Sequence, residues 1–391
     1  MSTTRRTFLR YLVLGGAGSA LLPSALAHGR SSSALSVNLL HVVVRPADKA
    51  DATAILEGGA MGAEEAAYNA DLFGHTITHT QAVVDSSQAA IDAVGEQAAE
   101  ADAVVAHVPE ADALQSIVDV AREADTLVVN ASSRDDVLRG TACDAHLFHV
   151  MASDAQFVDA LVTWMRDSAA IASVAVVHDG AASDRWAYAE ERLADTGIQT
   201  NDLLPESEAP AATATDADAI WLDADGDALS SALNALSEFS GPILCPHLSR
   251  AAHGRATGPV LWHEALFKYG AKQVTNRFAE RTGQAMEGLA YAHWAAMQIL
   301  SDAMLQTNTT DTAALHSHLR TQTRFDGRKA APITFRPWNQ QARHELYIVE
   351  PSGDGSSVAG PVPQRMPEAP DARQTALDAL GRSAEAAGCS L

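Results

Sequence analysis

Short apolar runs that alternate with helical stretches constrain this chain more than any other feature. Residues 37–44, 76–84, 103–107 and 126–129 read as strands, separated by helical stretches at 58–70, 87–99 and 111–124. The alternation resumes with strands predicted at 146–150, 174–178, 219–222 and 243–244, and helices at 155–168, 184–196 and 228–239. Strands apolar on both faces, separated by helices of about ten residues or more, form parallel sheets covered by helices and joined by right-handed crossovers. A single sheet holding all these strands would be unusually wide, and they fall into two batches on either side of Met151. The expected fold class is therefore α/β, with two doubly wound parallel-sheet lobes. A long helical stretch at 275–305 and late strands at 333–336 and 345–349 follow. The Gly/Ser/Pro/Ala-rich tail beyond Pro351 is expected to be loose until a short helix near 373–380.

The N-terminus carries a second signal. Arg5 and Arg6 stand just before an apolar run at 11–22, and Ala25-Leu26-Ala27 supplies small residues for cleavage. Charged start, apolar middle and A-x-A exit read as a secretory leader. The arginine pair is similar to a twin-arginine signal, which exports folded cargo across the bacterial inner membrane. The run is too short to span a bilayer and is interrupted by Gly15, Gly16, Gly18 and Pro23. No cysteine follows Ala27 directly, so a periplasmic chain without a lipid anchor is expected, starting near His28 with a polar linker over 28–35.

Charge narrows the partners. The formal net charge is −22, and loss of a leader holding Arg5, Arg6 and Arg10 but no acid takes it to −25. Nucleic acid is excluded as a partner, because phosphate contacts need clustered Lys and Arg. The lysines are only Lys49, Lys268, Lys272 and Lys329. That scarcity fits a chain kept solvated in high salt, or simply an acidic periplasmic protein, and both readings stay open. Three cysteines, Cys143, Cys245 and Cys389, allow at most one internal bridge.

Motifs that would signal catalysis are missing. The chain has no Gly-x-Ser-x-Gly elbow, His-Glu-x-x-His, P-loop or Cys-x-x-Cys. Gly16-Ala17-Gly18 lies in the leader, far from any dinucleotide context. The run from Asp223 to Asp227 has its glycine at the fourth place and Asn234 at the twelfth, so it reads as a turn and not a calcium loop. The pairs His75/His79, His146/His149 and His316/His318 lack a third ligand fixed by spacing, and no metal is expected.

The stretch from Val129 to Asp136, predicted to join a strand to a helix, has a mechanism. Ligands of open α/β sheets bind beyond the carboxyl ends of strands. Asn130, Ser132 and Ser133 would stand beside the unpaired N–H groups of a helix start, where a carboxylate or another oxygen-rich molecule could bind. The same residues would serve equally as a helix N-cap. In the second batch, Asp184 and Arg185 would face the same cleft, while Trp186 reads as packing.

These residues, with the leader and the two lobes, resemble the type I periplasmic binding proteins, in the leucine/isoleucine/valine-binding branch. The helix at Gly62-Ala63-Glu64-Glu65-Ala66 is similar to that branch's first helix, and Phe325-Asp326-Gly327-Arg328-Lys329 with Ile333-Thr334-Phe335 to its late return segment, although the expected second glycine is replaced. A narrower subgroup accompanies pyrroloquinoline-quinone-dependent alcohol dehydrogenase systems. The chain resembles it at 135–140 with Cys143, at Trp262-His263-Glu264, at 269–273 with 276–278, and at 335–343. The tail Leu377-Asp378-Ala379-Leu380-Gly381 and Cys389 resemble it too.

The resemblance implies a clamshell with three crossovers. Lobe one would be 36–149 plus 270–328, lobe two 150–269 plus 329–350, and 351–391 a tail. It implies a solute-binding receptor of an ABC importer, monomeric and non-enzymatic. Its partners would be a small polar ligand and an inner-membrane permease. No cofactor is implied, because a separate ATPase supplies the energy. The alternatives are a sensor or accessory protein of a quinoprotein alcohol-oxidation system and, further off, a hydrolase. By residue, Ser133 matches the hydroxyl that holds an amino acid's carboxylate, beside Asn130, Ala131 and Ser132. A second serine loop matches His107-Val108-Pro109, a tyrosine falls near Asp184, and the acid that holds an ammonium falls near Cys245-Pro246-His247. With Arg185 and Asp223 these make the candidate ligand set, in which three of four amino-acid determinants are absent. A Cys143–Cys389 bridge pinning the tail to lobe one is also implied.

Overall fold

Strand β1 (Ser36–Val44) sits at the heart of the first lobe, with Leu39, Leu40, Val42 and Val43 fully buried. The computed structural model describes residues 34–391 apart from 170, 179–183, 206–207, 209–215, 354, 365 and 390. The expected leader and most of the linker lie outside the described residues. Strand β1 pairs in parallel with β2 (Thr76–Val84) on one side and β3 (Ala103–His107) on the other. Next come β4 (Leu127–Asn130) and β5 (Leu147–His149), giving the order β2-β1-β3-β4-β5. Helices α1 (Lys49–Asp71), α2 (Ser87–Gln97) and α3 (Ala111–Glu123) make the crossovers.

The second lobe repeats the plan. Helices α4 (Asp154–Trp164), α5 (Asp184–Thr196) and α6 (Gly226–Ala235) flank a parallel sheet of β6 (Ser173–His178), β7 (Gln199–Pro205), β8 (Ala219–Asp223) and β9 (Ile243–Leu244), in the order β7-β6-β8-β9. Strand β10 (Gly258–Val260) then leads out to helices α7 (Ala271–Thr282), α8 (Gly288–Thr307) and α9 (Thr312–Thr321). Helix α8 packs back on the first lobe against α1. The chain passes between lobes a third time through residues 329–345, where Gln341 bridges to His149, the last residue of β5. It ends with β11 (Leu346–Ser352), β12 (Gly355–Val362), α10 (Pro370–Asp378) and α11 (Ala384–Ala387).

Glycines set the spacing of α1 and α8. A Cβ on Gly58 would lie 2.4 Å from the Ala290 carbonyl oxygen, and one on Gly62 would lie 2.7 Å from that of Trp294. The two helices therefore run parallel with backbones touching, and both present N-termini to the gap between the lobes.

Four expectations need correction. The helical stretch at 275–305 is two helices, because Gly283 takes φ 71° and ends α7. Residues 333–336 form no strand, only single bridges from Ile333 to Phe325 and from Phe335 to Ala342. The tail after Pro351 is not loose: β12 pairs antiparallel with β11 through backbone bonds that need no apolar side chains. Finally, the stretch after β4 does not start an α-helix. Asp135 caps only a 3-10 turn, Asp136–Arg139, by accepting from Val137 N at 2.9 Å.

Candidate functional site

Strands β4, β6 and β8 all end toward the gap between the lobes, at Asn130, His178 and Asp223, as open α/β sheets require. A cavity of about 590 Å³ opens there. The first lobe contributes Asp48 and Asp51 from the start of α1 and Glu287 from the start of α8; the second contributes Asp227, Ser230, Arg250 and His253. Between them lie Arg134, Met151, Phe157 and Trp262, close to the crossovers. The volume lies in the range of small-molecule sites.

Asn130 organises the loop after β4. It is fully buried, and its Oδ1 accepts from the backbone N–H of Ser132 at 3.0 Å and of Ser133 at 2.8 Å. Its Nδ2 donates to the Ser133 carbonyl at 2.7 Å. Ala131 N donates to the Ala106 carbonyl, and Ser132 Oγ accepts from Val108 N at 2.9 Å. The backbone N–H groups expected to meet a ligand are thus engaged within the loop. The side-chain oxygen Ser133 Oγ, by contrast, is buried with no partner among the described residues.

Arg139, not singled out from the sequence, locks this loop to the crossover. Its Nε donates to Gln341 Oε1 at 2.6 Å, and its terminal nitrogens donate to the carbonyls of Asp135, Ser133 and Met151. Burial pulls its pKa down to about 10.

Arg185, Asp223 and His247 come together in the second lobe. Arg185 Nε donates to Asp223 at 2.5 Å and its NH1 to Asp225 at 3.0 Å. His247 Nδ1 lies against Asp225, and its Nε2 stands 3.0 Å from Asp154 at the start of α4. Burial alone would raise Asp225, but His247 and Arg185 outweigh it and hold the carboxyl below its usual range. Asp184 is exposed and lines a separate polar pocket of about 520 Å³ with Arg185, Asp225 and the loop at 135–141. His107 goes elsewhere, into a buried chain inside the first lobe. His41 Nε2 lies 2.9 Å from His293 Nδ1, and His293 Nε2 lies 3.4 Å from His107 Nδ1.

Arg134 differs from these groups. Its guanidinium lies 4.7 Å from the Phe157 ring centre, and no described carboxylate comes within ion-pair distance. Burial lowers its pKa, partly offset by the more distant Asp154 and Asp225. It therefore presents a half-buried positive charge to the cavity. Burial raises both Asp51 and Glu287, with Arg250 opposing, and Arg250 Nε sits 3.4 Å from Glu287. The cavity is thus lined by a cation over an aromatic ring and by acidic groups partly neutralised by Arg250. Among the described residues no group of three or more His, Cys, Asp or Glu is placed to hold a metal ion.

Comparison with curated protein sequences gives no match. Solved structures do match in fold. An amino acid ABC transporter substrate-binding protein from Pseudomonas fluorescens Pf-5 superposes with a TM-score of 0.73 at 13% identity, covering 92% of this chain and 100% of its own. A branched-chain amino acid ABC transporter periplasmic ligand-binding protein from Burkholderia xenovorans gives 0.72 at 15% identity, covering 83% and 95%. A solute binding protein of an ABC transporter from R. palustris, in complex with benzoate, gives 0.70 at 15% identity, covering 92% and 100%. The periplasmic binding protein family matches residues 50–356, and with two parallel-sheet lobes closing on one cleft, this chain belongs to the type I periplasmic binding proteins of the leucine/isoleucine/valine-binding kind.

Proposed function

We propose that this protein is the receptor of an ABC-type importer, exported by its twin-arginine leader, and that it holds a small organic carboxylate between its lobes. One observation carries the ligand class: the Arg134 guanidinium faces the cavity above Phe157 without a carboxylate of its own. A ligand carboxylate would supply the missing counter-charge, and bidentate pairing suits the planar guanidinium. Phe157, Met151 and Trp262 would cover the apolar body of the ligand. The benzoate held by the R. palustris neighbour and the amino acids named for the others are carboxylates of this size.

Arg185 and His247 play a supporting part in this reading. Arg185 is paired with Asp223 and Asp225, and His247 lies against Asp225 and Asp154; neither lines the cavity, which leaves anion binding to Arg134. Ser133, next to Arg134 in the chain, is buried and does not line the cavity, so its unpartnered Oγ has no part in this reading. Closure follows from differential contact, since a ligand touching both lobes favours the closed arrangement by what it gains there.

The accessory role beside a quinoprotein oxidation system rests on a resemblance that touches this cavity only at Trp262, an apolar wall that does not favour it over the receptor. The test is a thermal-shift screen of the mature chain against amino acids, aromatic and aliphatic carboxylates, amides and alcohols. A ligand at 100 times its Kd stabilises by about 2.7 kcal/mol. Carboxylates should raise the Tm, and a response confined to alcohols or amides would refute the proposal.

A further inference from the structure

The C-terminal segment Gly381–Cys389 touches both lobes. At one end, Gly381 N donates to Asp159 Oδ2 on α4 at 2.6 Å, and the Arg382 guanidinium lies 4.7 Å from the ring centre of Tyr188 on α5. Both helices belong to the second lobe. At the other end, Ala387 packs on Gly140, where a Cβ would lie 2.7 Å from the Ala387 carbonyl oxygen, and Cys389 is disulfide-bonded to Cys143. Those partners belong to the first lobe. Upstream, Asp378 pairs with Arg336 at 3.1 Å and Arg343 at 2.7 Å, so the segment is also anchored at the third crossover. Between its ends it walls the polar pocket that separates the loop at 135–141 from Asp184 and Arg185.

We propose that this segment is a strap that limits how far the two lobes open, with the Cys143–Cys389 bond fixing its first-lobe end. Hinge motion that carries α5 away from the loop at 135–141 must draw on the chain between Arg382 and Cys389. The only slack there is the one-turn helix α11, capped by Ser383 Oγ on Ala386 N at 3.2 Å. Four residues change from about 1.5 Å to about 3.4 Å of rise each when extended, which releases on the order of 8 Å. Opening beyond that breaks the Arg382 and Gly381 contacts. A helix this short is marginal by itself, so the strap yields gradually and does not lock the cleft shut.

The proposal rests on two lobes that hinge, but its readout is lobe separation, so it stands or falls independently of the ligand. Nitroxides carried on ketone-bearing unnatural residues at exposed positions 47 and 231, on either flank of the cleft, leave all three cysteines untouched. Pulsed electron-spin distances would be taken on the mature oxidised chain, after phosphine reduction, on Cys143→Ser/Cys389→Ser, and on Arg382→Ala with the disulfide intact. The two severed forms should gain a population on the order of 8 Å longer or more, and Arg382→Ala a smaller gain. Circular dichroism and the Arg382→Ala form guard against mere unfolding. Superimposable distances in all four samples, or hydrogen exchange showing a freed tail with unchanged lobe separation, would overturn the proposal.

Discussion

Lys329 donates through Nζ to the main-chain carbonyl of Leu261 at 2.8 Å and so ties the third crossover to the second. The same nitrogen donates to the Glu345 carbonyl at 2.9 Å and lies over the rings of Tyr291 and Tyr347. Burial pulls its pKa down to about 7, with Glu345 opposing. Between pH 7 and about 10.4 the unfolded chain holds a proton that the folded one has lost, so stability rises with pH by up to ~1.4 kcal/mol per unit. Lys329→Met should remove that slope and leave two carbonyls without their donor, costing about 1–3 kcal/mol each. Urea unfolding of both proteins at pH 7, 8 and 9 checks both effects.

The histidine chain predicts a loss of stability in acid. His41 is held well below the ordinary histidine range by burial and by His79 and His107, His293 by burial and by His41 and His107, and burial lowers His107 to about 4. The unfolded chain begins to take up these protons near pH 6.5 while the folded one does not. Each group therefore costs ~1.4 kcal/mol per pH unit below that point, for His107 down to about pH 4. Burial raises Asp51, Asp136, Asp159 and Glu287, and these act in the opposite sense at lower pH. The histidine effect is therefore read between pH 6.5 and 5, where Tm should fall steadily. His293→Leu should lessen that slope by its own share, because other buried histidines such as His149 and His344 keep theirs.

Arg139→Met should destabilise the fold by about 3–5 kcal/mol, because it deprives the carbonyls of Asp135, Ser133 and Met151 and the side chain of Gln341 of their donor. Denaturant midpoints measure the loss, and an effect under about 1 kcal/mol would remove Arg139 as the brace of the loop.

Two glycine substitutions should part in sign. Gly62→Ala drives a Cβ against the Trp294 carbonyl in the α1–α8 contact and should cost about 1–3 kcal/mol. Gly95→Ala on α2 meets only Val120 Cγ1 at 3.6 Å and should stabilise by up to about 1 kcal/mol. Calorimetric Tm values of the pair decide the point.

Legibility followed side-chain patterning. Strands β1, β2 and β3 and helix α5 stand where their apolar periodicity places them. Strand β7 was not expected, because Gln199, Thr200, Asn201 and Asp202 are polar and the strand lies at the sheet edge. Strand β12 reads as tail because its Gly, Ser and Pro residues pair through backbone alone. At the site, the carboxyl ends of β4, β6 and β8 were legible from topology, and so was the loop holding Arg134. The role of Arg134 was not, since it depends on Phe157 lying under it and on no described carboxylate coming within ion-pair distance. Arg250 and Glu287 are 37 residues apart and no motif joins them; only the fold brings them to 3.4 Å.

The most direct measurement is calorimetric titration of the mature chain with a carboxylate found in the screen and with its uncharged amide, repeated on Arg134→Gln. The account predicts that the acid binds wild type at least about tenfold more tightly than the amide, the ~1.5–3 kcal/mol of a charge-assisted bond. Arg134→Gln should erase that preference while leaving the Tm of the empty protein within about 1 kcal/mol equivalent of wild type. An amide that binds as well as the acid, or an acid whose affinity survives Arg134→Gln, would contradict the claim that this cleft is built around a carboxylate.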